Sequence, residues 1–154
     1  MSTFIKVKKI HPDAVIPTQE AGDVGWDLTA VDGGIIPSSQ VRMVSTGLIL
    51  AEQPYGDDNH KQILLKIEGR SGLAFNLAVF PIGGIIDPSY RGELKVMLYN
   101  GGKQDFQYHP GDRVAQIVIY PVYAKTLSSK TAFLETASIR PTERGARGFG
   151  SSGR

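Results

Sequence analysis

A single acid, Asp87, stands between the apolar pair Ile85 and Ile86 and the ring of Pro88 in GGIIDPSYRGE (residues 83–93), with Tyr90 and Arg91 just beyond. Asp-Pro-Ser-Tyr after an apolar run is what a type I turn between two strands looks like. It is equally what a firmly mounted general base would look like, because proline restricts the residue before it to extended backbone and limits where its carboxylate can point. A carboxylate beside a water molecule can take its proton as that water attacks an electrophile. Two other segments carry anion chemistry. In EGRSGLA (68–74), Arg70 offers a fork for phosphate oxygens, Ser71 a hydroxyl and Gly72 close backbone approach; a polar turn would use the same residues. In RGARGFGSSG (144–153), four glycines in ten residues oppose both helix and strand. That segment reads either as a disordered terminus or as an arm that orders over a ligand, with arginines and the hydroxyls of Ser151 and Ser152 for phosphate and Phe149 for a flat base.

Such groups need a scaffold, and composition bounds it. A chain of 154 residues with 41% hydrophobic content suits one globular domain with a real core. With no cysteine there is neither a disulfide framework nor a thiolate zinc site, and His11, His60 and His109 lack ligand spacing. No charged segment leads into an apolar stretch at the N-terminus and no apolar run is long enough to span a bilayer, so the expectation is a soluble, cytoplasmic or otherwise intracellular protein without a membrane partner. The net charge of +2 hides an asymmetry: Arg140, Arg144, Arg147 and Arg154 face Glu143 alone at the C-terminal end. A chain that grips long nucleic acid usually spreads its cations over a face. A small, strongly anionic ligand fits this distribution better.

The apolar residues fall in short blocks bounded by Gly, Pro, Asn and Asp: FIKVKKI, VRMVSTGLILA, KQILLKIEG, ELKVMLYN and DRVAQIVIYPVY. In the third, Ile63, Leu65 and Ile67 share a face, and in the fourth Leu94, Val96 and Leu98 do, which is the period of two of a strand. Turn signals such as NGGK and HPGD separate the blocks, as in an all-β barrel or jelly-roll-like sandwich. The only helix expected is a short one in SGLAFNLA.

Taken in order, five segments resemble the motifs of the trimeric dUTPase family: AGDVGWDL (21–28), GRSGLA (69–74), GGIIDPSYRGE (83–93), GDRVAQIVI (111–119) and RGARGFGSSG (144–153). The resemblance implies a jelly-roll-like β-barrel over residues 1–140, a flexible arm over 141–154 that closes on the active site, and a homotrimer whose sites draw on all three chains. It implies hydrolysis of dUTP to dUMP and pyrophosphate by water attack on the α-phosphate, which limits uracil entry into DNA and supplies dUMP. The implied metal is Mg²⁺ carried by the triphosphate, in keeping with a hard cation that needs no dedicated protein cage.

Residue by residue, the resemblance makes Asp87 the general base and places Tyr90 against the deoxyribose, where a 2′-hydroxyl would clash. Backbone groups around Gly84, Ile85 and Ile86 read uracil. Lys95 falls at a main-chain contact to base or sugar. Arg70, Ser71, Gly72, Gln116, Arg144, Gly150, Ser151 and Ser152 take the phosphates, and Phe149 stacks on uracil. Asp27 is assigned either to the metal's waters or to structural hydrogen bonds. Trp26 reads as core packing. Gly69, Pro81 and Arg147 depart from the family pattern, the first two at backbone contacts and the third most simply as a solvent-facing side chain. A dCTP deaminase of the same fold and a dUTP-sensing regulatory protein are the alternatives. Asp87 and the Phe149 arm favour attack on phosphorus.

Overall fold

Leu65 and Ile67 are buried while Lys66 and Glu68 between and after them stay half-exposed, so the alternation read in KQILLKIEG is the alternation of a strand with one face on the core. The structure, a computed structural model, describes residues 5–52, 62–122, 135, 137, 138 and 140–143. These contain β1 (Lys6–Lys9), β2 (Trp26–Thr29), β3 (Gly34–Ile36), β4 (Val41–Val44), β5 (Leu48–Glu52), β6 (Gln62–Glu68), α1 (Ser71–Leu77), β7 (Val79–Pro81), β8 (Ile85–Ile86), β9 (Val96–Asn100), β10 (Phe106–Tyr108) and β11 (Arg113–Val122). Among the described residues the chain is thus all-β apart from one short helix. Among the described residues no helix is long and apolar enough to cross a membrane.

The main sheet runs β2-β11-β6-β8, a second runs β4-β9-β7, and β1-β5 and β3-β10 form two-stranded ribbons. Every pairing is antiparallel. β11 lies at the centre of the main sheet, with Ile117 opposite Trp26 on one side and Ile67 on the other. The sheets turn a common apolar face inward: Leu28, Val44, Leu50, Leu65, Val96 and Val114 all lie at 0–1% exposure. Burial of each such side chain contributes about 1.5–3 kcal/mol. Each sheet is an open ladder among the described residues.

Two of the expected strands are shorter than their blocks. VRMVSTGLILA divides into β4 and β5 because Gly47 takes φ +67° and lies so close to His11 and Ala14 that a Cβ would stand 2.7 Å from the His11 Cβ. ELKVMLYN pairs regularly only from Val96, since the Lys95 N–H turns back to the Glu93 carbonyl at 2.9 Å. Leu94, Val96 and Leu98 nevertheless share the buried face as their spacing requires. The helix expected in SGLAFNLA is α1, which buries none of its residues. It ends at Ala78, in the left-handed region at φ 54°, where the N–H returns to the Ala74 carbonyl. Trp26 is not in the sealed core: it is half-buried in a wholly apolar cleft with Ile5, Val7, Pro17 and Ile119.

One polar cluster is built into the interior. The Tyr108 ring is fully buried, its hydroxyl accepts from Arg42 Nε at 3.1 Å, and it lies 3.4 Å from Asp32 Oδ2. Burial, with the Asp32 charge added, raises the phenol above its usual pKa. Tyr108 therefore remains a neutral donor that ties β10 to β4 and to the turn before β3.

Candidate active site

The hairpin that carries Asp87 is shaped by glycine. Gly84 has φ +94°, and a Cβ there would stand 2.6 Å from the Ile67 carbonyl oxygen, so a side chain is excluded both by backbone conformation and by space. The Gly84 carbonyl accepts from Ile67 N at 2.8 Å, and Ile85 and Ile86 then pair with Lys66 and Leu65 at the edge of the main sheet. Beyond them the chain turns through Pro88 and Ser89, closed by the Tyr90 N–H on the Asp87 carbonyl at 3.0 Å. The type I turn reading is right for the backbone. Arg91 braces that turn, donating from Nη1 to the Pro88 and Tyr90 carbonyls, both at 2.8 Å.

The Asp87 carboxylate takes no part in any of these bonds; among the described residues it has no hydrogen bond or ion pair. It is exposed on a cleft of about 180 Å³ shared with Gly84, Ile85, Ile86, Tyr90, Glu93, Lys95 and an apolar wall of Met43, Ile82 and Met97. Tyr90 is turned back over Gly92 by a hydrogen bond from its hydroxyl to the Glu93 carbonyl at 3.1 Å, and a Cβ at Gly92 would collide with that hydroxyl. A free carboxylate beside a fixed ring is suited to activate water next to a ligand that packs on the ring.

A second cleft, of about 460 Å³, is lined by Asp27, Arg70, Ser71, Gly72, Arg113 and Gln116, with Thr18, Glu20 and Asp23 at its side. Register explains the grouping: Gln116 on β11 lies opposite Asp27 on β2 and Glu68 on β6, so Arg70 emerges beside both. Asp27 Oδ1 meets Arg70 Nε at 3.0 Å, its Oδ2 accepts from Arg113 Nη1 at 3.1 Å, and Arg70 Nη1 donates to the Arg113 carbonyl at 3.3 Å. Gln116 Nε2 donates to the Gly69 carbonyl at 2.7 Å, and a Cβ on Gly25 would collide with its amide. Each guanidinium keeps further N–H donors for an anion. Gly72 has an ordinary φ, and a Cβ there would meet nothing within 4 Å, so the glycine leaves open space at the start of α1.

The sequence-predicted residues thus fall into two groups with no lining residue in common. Asp87, Tyr90, Lys95 and the Gly84–Ile86 backbone share the hairpin cleft; Asp27, Arg70, Ser71, Gly72 and Gln116 share the cationic one. Arg144, Phe149, Gly150, Ser151 and Ser152 lie outside the described residues, as does Arg147.

Comparison with known proteins matches the chain to one family. The dUTPase family model matches residues 12–153. The chain is 39% identical over 152 residues to the deoxyuridine 5'-triphosphate nucleotidohydrolase of Helicobacter pylori strain J99, covering 97% of this chain and 96% of that one. It is 42% identical over 154 residues to the enzyme of that name from Wolinella succinogenes, covering 97% and 94%. The chain belongs to the dUTPase family.

Among solved structures, the fold is similar to that of the Staphylococcus bacteriophage 80alpha dUTPase with dUPNHPP, at TM-score 0.80 and 20% identity over 99% of this chain and 100% of that one. It is also similar to a variant dUTPase of phage phi11 of S. aureus, described with a structural Mg(II) ion, at TM-score 0.68 and 18% identity over 91% and 99%. Within the dUTPase motifs two contributors went unread in the sequence. Arg113 sits inside GDRVAQIVI, but its partner Asp27 is 86 residues away, and only strand register brings them together. Glu93 ends GGIIDPSYRGE, and its Oε1 accepts the Gly47 N–H at 2.9 Å from a turn far off in sequence. The charge of each was visible; its partner was not.

Proposed function

We propose that this dUTPase-family chain hydrolyses dUTP to dUMP and pyrophosphate, with Asp87 as the general base. The observation that carries the reading is the Asp87 carboxylate, unbonded among the described residues, on a cleft beside Tyr90, in a chain that the dUTPase family model matches over residues 12–153. Uracil and deoxyribose lie in the hairpin cleft, with Gly84, Ile85 and Ile86 offering backbone groups to the base and Tyr90 packing where a 2′-hydroxyl would have to fit. Asp87 takes a proton from water as the oxygen attacks the α-phosphorus; the bond to the bridging oxygen breaks and pyrophosphate leaves. Arg70, Ser71, Gly72 and Gln116 receive the phosphates, and their charge-assisted bonds favour the charge that builds on the departing oxygens. The bound substrate analogue of a protein similar in fold supports dUTP as the ligand.

A hard cation fits the donors here. Asp27, Glu20 and Asp23 give the cationic cleft an oxygen-rich rim, and among the described residues no group of three metal-ligating side chains forms a dedicated cage. Mg²⁺ carried by the triphosphate would neutralise phosphate charge, and Asp27 would be the residue of this cleft able to hold one of its waters. The two guanidinium partners of Asp27 favour its structural role.

The separation of the two clefts supports a site shared between copies. One chain provides the Asp87 hairpin, a second the Arg70 loop, and a third the arm of residues 141–154 with Arg144, Phe149, Gly150, Ser151 and Ser152, in a homotrimer of jelly-roll-like barrels. Exposed Val41 and Phe80 on the outer face of the β4-β9-β7 sheet, beside the Met43, Ile82 and Met97 wall of the hairpin cleft, give a second copy apolar surface to cover. A cytoplasmic, nucleotide-pool enzyme is the setting this chemistry suits. The test is pyrophosphate release from dUTP, dCTP, dTTP and UTP, with and without Mg²⁺. Selective release from dUTP is expected; comparable rates for dCTP or UTP, or ammonia release from dCTP, would overturn the assignment.

A further inference from the structure

Sulfur is scarce in this chain, which has no cysteine and three methionines, Met1, Met43 and Met97. Met1 lies outside the described residues. The other two are brought together by strand register, since Met43 on β4 pairs with Met97 on β9. Val44 and Val96 beside them are fully buried, so alternation turns both thioethers away from the core and into the wall of the hairpin cleft, where Met43 is 50% and Met97 36% exposed. Met97 also props the hairpin itself. The Ile82 N–H donates to the Met97 carbonyl at 2.9 Å, and a Cβ on Gly83 would stand 2.7 Å from the Met97 methyl carbon. The Gly83 backbone, at φ +67°, therefore lies against the end of that side chain, one residue before the Gly84–Ile86 segment.

We infer that Met43 and Met97 form a paired oxidation site, at which a peroxide converts the thioethers to sulfoxides and so weakens the cleft's hold on nucleotide. The sulfur lone pair attacks one peroxide oxygen, and an S–O bond forms as the O–O bond breaks. The departing oxygen takes the proton of the transferred one and leaves as water, so sulfur is oxidised and the peroxide reduced. No thiolate in the chain competes for the oxidant, and the open cleft admits it to both sulfurs. The damage falls on the hairpin. A sulfoxide is polar and chiral where the thioether was apolar and adaptable. At Met97 the added oxygen crowds Gly83, and the hairpin must shift to make room for it. At Met43 it sets an unpaired dipole in an apolar wall, which costs free energy whenever a ligand covers it. The effect on nucleotide binding rests on the hairpin cleft seating base and sugar as proposed above; the oxidation itself does not.

The test treats the native chain with hydrogen peroxide, alone and with a non-hydrolysable dUTP analogue, reading sulfoxide at each methionine by peptide mass and kcat and KM for dUTP in the same samples. Sulfoxide should appear at Met43 and Met97, and the analogue should slow it at both. KM should rise about tenfold, the cost of an unpaired polar group facing an apolar surface. Methionine sulfoxide reductases with a thiol reductant should reverse the mass shift and the loss together. The double variant Met43→Leu with Met97→Leu, measured against its own untreated activity, should keep nearly all of it after the same exposure. Met97→Leu alone should protect more than Met43→Leu alone, because only Met97 lies against Gly83. No sulfoxide at the pair, an unchanged KM once both are oxidised, or a loss in the double variant equal to the native one would overturn this inference while leaving dUTP hydrolysis standing. An untreated chain that hydrolyses no dUTP would instead overturn the function, while the mass shifts and their protection by nucleotide still report the site.

Discussion

Asp27 and Arg70 meet at 3.0 Å across the end of the main sheet, and the second Asp27 oxygen is taken by Arg113 at 3.1 Å. One carboxylate therefore orients two guanidinium groups toward the same cleft. Without it the two cations would repel each other and swing outward, each keeping its charge but losing its aim. Asp27→Asn should leave the fold intact, because these groups are partly exposed and such ion pairs contribute only about 0–1 kcal/mol. It should raise KM for dUTP about tenfold, the cost of one or two misdirected charge-assisted bonds. Circular dichroism and steady-state kinetics would check both halves; an unchanged KM would return Asp27 to the metal's water shell alone.

Asp87→Asn should keep nucleotide binding and lose roughly 10²-fold or more in turnover, as expected when a general base is removed. The amide nearly matches the carboxylate in shape, and because no protein group bonds the Asp87 side chain among the described residues, nothing in the fold depends on its charge. Binding of a non-hydrolysable dUTP analogue measured by calorimetry separates the two effects. Near-normal turnover would leave Asp87 as no more than the first residue of a turn.

Gly84→Ala tests the hairpin itself. The backbone there is at φ +94°, and the new methyl would stand 2.6 Å from a carbonyl oxygen of β6. Forcing a side chain into such a conformation costs about 1–3 kcal/mol, and it falls immediately before a two-residue strand with little other support. The hairpin should detach from the sheet edge while the rest of the chain stays folded. Activity should be lost with only a modest fall in melting temperature, and an active, fully stable variant would contradict the placement of the base-reading backbone.

Much of this was legible in the sequence, for reasons visible in particular residues. Leu65 with Ile67, and Leu94 with Val96 and Leu98, announce their buried faces because a strand of five or more residues has room for a period of two. β3, β7, β8 and β10 have two or three residues each and carry no period; β8 was visible only because Ile85 and Ile86 precede Asp87. Pro81 gave no sign of lying in a strand, yet in β7 it sits opposite Leu98. The site divides in the same way. Motif residues could be named singly, but the Asp27–Arg113 pair and the Glu93–Gly47 anchor come from register between distant strands. Local pattern does not encode such register. The separation of Asp87 from Arg70 into two clefts was visible only in three dimensions.

Deleting residues 144–154 should leave the β-structure intact and reduce activity severely, since the segment supplies Arg144, Phe149, Ser151 and Ser152. Base stacking contributes about 1–3 kcal/mol and each charge-assisted bond to phosphate about 1.5–3 kcal/mol. Phe149→Ala should therefore be milder than the deletion. Full activity after truncation would leave the segment without a catalytic part.

The sharpest test of a shared site uses two inactive chains together. If Asp87 of one copy works with Arg70 of another, then Asp87→Asn and Arg70→Ala damage different copies of the same site. Each variant alone is inactive at every site, because every site contains one damaged member. In trimers reassembled from an equal mixture, a site is whole only where the copy supplying the hairpin carries Arg70→Ala and the copy supplying the loop carries Asp87→Asn. For random closed assembly that holds for about a quarter of sites, so unfolding and refolding the two variants together should restore about that fraction of native activity. Refolding each alone should restore none, and a light-scattering mass of three chains should accompany the recovery. If both residues acted within one chain, every hairpin and loop would remain mismatched however the copies were mixed. Absence of recovery in a mixture shown to be trimeric would then place the whole reaction on a single chain.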